Sequence, residues 1–267
     1  DDFKDMIFKD HSLGRNILGN PQSLNQITRE DIIRFWSNYY QPSNMVFFVL
    51  GNVDFKKVIR LAEKYTGHLT LSDRISERIM PPLYVPQHKL IHKETHQAHV
   101  MVGNRGYDAH NNKRTGLYLL NNMLGGPGMN SRLNVSLRER KGLVYSVESN
   151  LTSYTDTGIF CIYFGTDPND VDRCLTLTYK ELKKLCDLKL TPSQLAAAKK
   201  QLIGQIGVAS DNNENNALGM AKTFLHYNRY EASEAVYKRI ESITSSELLE
   251  IANELFGEEQ LSTLIYK

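Results

Sequence analysis

Sulfur and net charge are both scarce in this chain. Its three cysteines, Cys161, Cys174 and Cys186, form no C-x-x-C pair. They therefore match neither a zinc knuckle nor a disulfide framework, and they read as buried thiols. The 32 basic and 30 acidic residues leave a formal net charge of +2, which gives no electrostatic case for nucleic acid or for an anionic membrane surface. No apolar run approaches the roughly 18 residues of a membrane span. The first residues lack the basic-then-apolar order of an export signal. The cytoplasm is the expected compartment, with periplasmic export or an organelle matrix left open, because DDFKDMIF looks like the middle of an amphipathic helix and an upstream part is expected to be absent.

What is present is enough apolar material for real cores. The 267 residues are 41% hydrophobic, a length and composition that suit two modest domains. Residues 1–67 form one block: the opening helix, a turn-rich loop, then ITREDIIRFWSNYY, where Thr28 with Asp31 three residues on resembles a capping box. Pro42 follows that helix. Asn44 to Leu50 is a short apolar run expected as a buried strand, and Phe55 to Tyr65 has helical spacing. Residues 68–88 lose periodicity and carry Pro81, Pro82 and Pro86, so they form the expected linker, with a boundary near Pro86.

Residues 89–267 make the second domain. Strands are expected at Lys89 to Gly103, Tyr145 to Ser153, Gly158 to Gly165 and Gln260 to Tyr266. Helices are expected at Lys113 to Leu124, Asn169 to Asp187, Thr191 to Val208, Asn216 to Tyr227 and Ala232 to Phe256, the last with a break at Thr244. Phe160 to Phe164 is apolar at every position, the pattern of a strand covered on both sides. The class is α+β, with helices packed on one side of antiparallel-rich sheets.

The sequence is organised around Leu124 to Tyr145, LGGPGMNSRLNVSLRERKGLVY. Gly125, Gly126, Pro127 and Gly128 make a loop that another backbone can approach closely. Asn130 or Ser131 can cap a helix through Leu133, Val135 and Leu137, whose last turn carries Arg138, Arg140 and Lys141 before a stop at Gly142. A strand then begins near Tyr145, which lets Arg138 and Tyr145 converge as two hydrogen-bond donors. HKETHQAH holds His92, His96 and His99 and invites a metal reading. Read as one strand, however, it would separate His92 from His96 by about 13 Å, too far for two ligands each about 2.1 Å from one zinc ion. No metal ligand is assigned.

The whole string, Gly-Gly-x-Gly, Ser-Arg-Leu, Leu-Arg-Glu and Gly-Leu-x-Tyr-Ser, resembles the second-domain signature of the pitrilysin, insulinase and mitochondrial processing peptidase family of zinc metallopeptidases. The first block, with His-x-Leu-Gly-Arg, Gly-Asn-Pro, Ile-Thr-Arg-Glu-Asp and Gly-Asn-Val-Asp, resembles the closing half of the first domain of the same family. The resemblance implies two homologous-type domains, the first incomplete. It also implies that Arg138 and Tyr145 bind peptide substrate, with Gly125, Gly126 and Gly128 lining the path. The family's zinc motif, H-x-x-E-H, does not occur here, so zinc would belong to a full-length enzyme and not to these residues. Two readings stay open: part of a zinc metalloendopeptidase acting on oligopeptides or unfolded segments, or a non-catalytic substrate-binding or scaffold subunit. In the second, the chain would act with a zinc-bearing partner; a homodimer or a heterodimer with a zinc-bearing subunit is the expected assembly.

Overall fold

The structure, a computed structural model, describes residues 1–69, 78–93 and 96–267. It forms two compact units. One comprises Asp1–Ile17, Met80–Ile203 and Tyr237–Lys267, and the other Leu18–Ile79 and Gly204–Val236. The first block of the sequence is thus divided between them, and part of the expected linker, residues 70–77, lies outside the described residues.

The larger unit is built on a five-stranded sheet. Its strands are β1 (His88–Ile91), β2 (Ala98–Gly106), β3 (Val144–Ser153), β4 (Gly158–Thr166) and β5 (Ser262–Tyr266), in the order β1-β5-β2-β4-β3. β1 runs parallel to β5, and the other pairs are antiparallel. β4 is buried along its length except at Tyr163, as its unbroken apolar run requires of an inner strand. Phe160 meets the Phe256 ring at 4.8 Å between centroids, on the face covered by α5 (Arg114–Gly125) and α10 (Ser245–Leu255). The alternate residues of β4, Ile159 and Cys161, point the other way. They share a core with Leu264 and with Phe3, Met6, Ile7 and Phe8 from α1 (Asp2–Ile7) and the residue after it.

Arg105 fastens α1 to the sheet. Its guanidinium donates to the Ile7 carbonyl at 3.2–3.3 Å and lies over the Phe8 ring at 5.2 Å. The helical layer is completed by α6 (Val171–Asp187), the first part of α7 (Pro192–Ser210) and the end of α9 (Ser233–Ser242). The break expected at Thr244 is real: its side chain accepts from the Glu247 amide and caps α10.

The smaller unit holds α2 (Pro21–Gln26), α3 (Arg29–Tyr39), α4 (Phe55–Thr66) and α8 (Asn213–Tyr227). α3 begins with the capping box read from the sequence. The Asp31 amide donates to Thr28 Oγ1 at 3.2 Å, and the Thr28 amide donates to the Asp31 carboxylate at 3.0 Å.

Three sequence expectations need correction. Residues 45–50 are not a buried strand. They pair with no strand among the described residues, and Met45, Phe47, Val49 and Leu50 are exposed; an apolar run becomes a strand only where a neighbour supplies the ladder. The single strand expected from Lys89 to Gly103 is two, β1 and β2, which flank β5. Cys186 is only partly buried, and its thiol donates to the Ala252 carbonyl at 3.3 Å.

Candidate functional site

α5 carries the apolar residues Leu117, Leu119, Leu120 and Leu124 into the core, and it also buries two adjacent asparagines, Asn121 and Asn122. Its end lies against β3, where the Ser149 hydroxyl donates to the Asn121 carbonyl at 2.8 Å. The chain then turns through Gly126, Pro127 and Gly128 and re-enters a helical path whose centre, Asn134–Glu139, is a π-helical turn. There the Arg140 amide reaches the Val135 carbonyl at 3.1 Å, one residue further back than in an α-helix. The turn stops where the sequence demands. Gly142 takes φ +62, and the Leu143 amide closes on the Leu137 carbonyl at 2.9 Å.

Ser131 stands directly before this segment, as the sequence suggested, with its carbonyl accepting from the Val135 amide at 2.9 Å. Neither candidate side chain caps it, however: the Asn130 side-chain amide donates to Gln201 on α7 at 2.8 Å, and the Ser131 hydroxyl, 3% exposed as a residue, has no hydrogen-bond partner among the described residues.

Gly125, Gly126 and Gly128 line a cavity of about 520 Å³ together with Arg138, Asn121 and the β3 stretch from Ser146 to Leu151. Its walls combine one guanidinium, the Glu148 carboxylate, several neutral amides and hydroxyls, and apolar surface from Pro127, Met129 and Leu151. Among the described residues β3 is the last strand of the sheet, so alternate backbone groups on its outer side have no ladder partner among them. The Oδ1 of Asn121, which is 8% exposed, is also without a partner. Such a site can exchange hydrogen bonds with a backbone while accepting small apolar side chains.

The cavity thus brings the glycine loop and Arg138 together. It does not include Tyr145, which stands at the start of β3 beside the irregularity between Val144 and Val147 and is 83% exposed. Asn121, Asn122 and Ser131 were missed from sequence. The signal available was a pair of asparagines interrupting the apolar run LYLLNNML.

The histidines take separate surroundings. His92 and His96 lie outside the strands and are exposed, whereas His99 is on β2 with its Nδ1 2.8 Å from the Tyr163 hydroxyl. The 13 Å spacing along one strand does not apply, since His92 follows β1 and His96 precedes β2. Among the described residues no group of three His, Cys, Asp or Glu side chains is placed to hold a metal ion. No helix among them is long and apolar enough to cross a membrane.

A mixed five-stranded sheet with its long helices on one face, presenting a glycine loop and a basic π-helical turn beside the edge strand, defines an α+β fold. The family model described as the peptidase M16 inactive domain matches residues 26–202, and the chain belongs to this family. A Streptomyces coelicolor protein named an uncharacterized zinc protease is 31% identical over 264 residues, covering 96% of this chain and 57% of its own length. A Bacillus subtilis protein of the same description is 29% identical over 259 residues, with 97% and 62% covered. The chain therefore spans about three fifths of the length of these relatives. The crystal structure of a peptidase M16 inactive domain from Pseudomonas fluorescens superposes with a TM-score of 0.89 at 19% identity, over 99% of this chain and 63% of that one. A chain of complex III2 from Candida albicans gives 0.84 at 16%, over 99% and 65%. These last two likenesses concern the fold.

Proposed function

We propose that this chain is the substrate-binding part of a zinc-dependent metalloendopeptidase that hydrolyses oligopeptides or unfolded segments. Residues 1–67 would close a zinc-bearing domain, and residues 89–267 would form a second domain that holds the peptide. The observation that carries this reading is the cavity where Arg138, the glycine loop and the outer edge of β3 meet, with Asn121 Oδ1 and Ser131 Oγ unpaired in its lining. Buried polar atoms without partners are uncommon, and these match the amide hydrogens and carbonyls of a peptide. Arg138 would hold a substrate carbonyl, and Tyr145, exposed beside the cavity, would donate its hydroxyl to the oxygen that gains charge during hydrolysis.

Zinc in such an enzyme polarises the scissile carbonyl and activates water. Among the described residues no three His, Cys, Asp or Glu side chains are grouped to hold that ion, and in this reading it would be held elsewhere, in a longer protein or in a second chain. The relatives named zinc proteases support the class, and a cytoplasmic location goes with this proposal. The alternative, a non-catalytic subunit that lends its cavity to an assembly, is favoured by the likeness to a chain of a multisubunit complex.

The test is binding of unstructured peptides to the 267-residue chain, followed by fluorescence anisotropy. Saturable binding that weakens about tenfold in Arg138→Gln is expected, the loss that goes with one charge-assisted hydrogen bond. Equal binding by the variant would reject the assignment of this cavity.

A further inference from the structure

The π-helical turn Asn134–Glu139 lies between two cavities. Arg138 lines the one already described. Val135, Ser136 and Arg140 line a second, of about 600 Å³, whose other walls are the end of α6 and the start of α7. Four cations reach this second cavity, Arg132, Arg140, Lys184 and Lys189, against a single acid, Glu181. That acid is already engaged, since Lys184 Nζ donates to it at 2.6 Å. Lys189 donates to the Ser246 hydroxyl at 3.0 Å. The guanidiniums of Arg132 and Arg140 make no hydrogen bond or ion pair with any described residue.

Arg132 is the informative one. Burial lowers the pKa of its guanidinium, and the charge of Glu181 only partly offsets this. A guanidinium drawn partly out of water with all its donors unused is costly unless an anion meets it. A smaller cavity of about 230 Å³ shares Asn130, Arg132 and Gln194 with this one and is also lined by Ser131, whose buried hydroxyl is unpaired. The first turn of α7 does not account for the arrangement. The Thr191 amide donates to Gln194 Oε1 at 3.0 Å, and the Gln194 amide to Thr191 Oγ1 at 3.3 Å, so that helix start is closed by its own side chains.

We propose that this second cavity is an anion site for a small, multiply charged oxyanion, a phosphate or a polycarboxylate, gripped by the Arg132 fork with Arg140 beside it. Arginine suits the task because its planar donors match two oxygens of one such group. The site is separate from the peptide cavity and does not depend on the peptidase reading. Because one turn lines both cavities, an anion held by Arg132 and Arg140 also braces the segment that carries Arg138.

The test is calorimetric titration of the 267-residue chain with pyrophosphate and with citrate at matched ionic strength, against chloride as control. One saturable equivalent is expected, weakened about tenfold or more by Arg132→Gln and by Arg140→Gln but not by Lys222→Gln, an exposed cation on α8. Arg140 is exposed, so its variant keeps the test valid should Arg132→Gln fail to fold. Tighter pyrophosphate binding identifies a phosphate ligand, and tighter citrate binding a carboxylate one. Heats no larger than those of chloride, unchanged binding by both arginine variants, or equal weakening by Lys222→Gln would overturn the proposal.

Discussion

Gly125 sits so close to β3 that a Cβ added to it would lie 2.6 Å from the backbone nitrogen of Ser149. The end of α5 is thus pressed onto the edge strand, and the cavity lined by Arg138 and the glycine loop takes its shape from that approach. Gly125→Ala should lower stability by about 1–3 kcal/mol, the usual range for overpacking against parts that cannot yield. Gly219→Ala is the internal control. It lies on α8 with open space around its added carbon, so the helix propensity of alanine should leave stability equal or higher by up to about 1 kcal/mol. Thermal denaturation of both variants checks the contrast.

Tyr145→Phe removes a hydroxyl and keeps the ring. With a zinc-bearing region restored and peptide hydrolysis measured, kcat should fall on the order of a hundredfold to a thousandfold, the loss seen when one donor to a developing oxyanion is deleted. Tm should hardly move, because the side chain is exposed. His96→Ala should leave turnover nearly intact. Full activity in Tyr145→Phe together with loss in His96→Ala would transfer the working face to the histidines.

The pH profile of stability has an acid component at Glu254. Burial pushes this carboxyl up, but hydrogen bonds from Lys113 and Tyr107, with the charge of Lys113, outweigh it and hold the pKa below the ordinary 4.5. A depressed carboxylate contributes stability above its unfolded value and loses it as the pH falls through the folded one. Denaturant melts between pH 6 and pH 3 should therefore show a decline that is shallower in Glu254→Gln. A parallel decline in the variant would mean that other carboxylates set the acid limb.

Phe47, 71% exposed, belongs to an apolar run that pairs with no strand among the described residues. Such a segment templates further pairing. The 267-residue chain should self-associate with rising concentration in sedimentation velocity, and Phe47→Lys should reduce this without altering the larger unit. A strictly monomeric wild-type chain at all concentrations would count against it.

Element types were legible wherever local chemistry decides them. The Thr28 and Asp31 box, the Gly142 stop and the Thr244 cap are each settled within a few residues. The five unbroken apolar residues from Phe160 placed β4 inside the sheet for the same reason. What sequence could not reveal were relationships set by distant partners. Residues 45–50 have strand composition and no strand to join among the described residues. The run from Lys89 to Gly103 carries two strands because β5, from the far end of the chain, inserts between them. At the cavity, the nearness of the glycines to Arg138 was legible from their spacing within one short stretch. Asn121 and Ser131 were not, because only the docking of α5 onto β3 and the drawing of Asn130 to α7 give those side chains their unpaired surroundings.

β5 occupies the second place in the sheet, between β1 and β2, and comes from the last residues of the chain. During vectorial synthesis β1, α1 and β2 leave the ribosome long before it. Until Ser262–Tyr266 emerges, β1 has no ladder and the pocket for Phe3, Met6 and Phe8 lacks Leu264. The larger unit therefore completes its core only once residues 262–266 have been made, and the long sequence separation between β1 and β5 makes that closing step slow. β5 thus acts as a latch: a chain lacking Ser262–Tyr266 would leave β1 without its ladder and the core around Phe3, Met6 and Phe8 without Leu264.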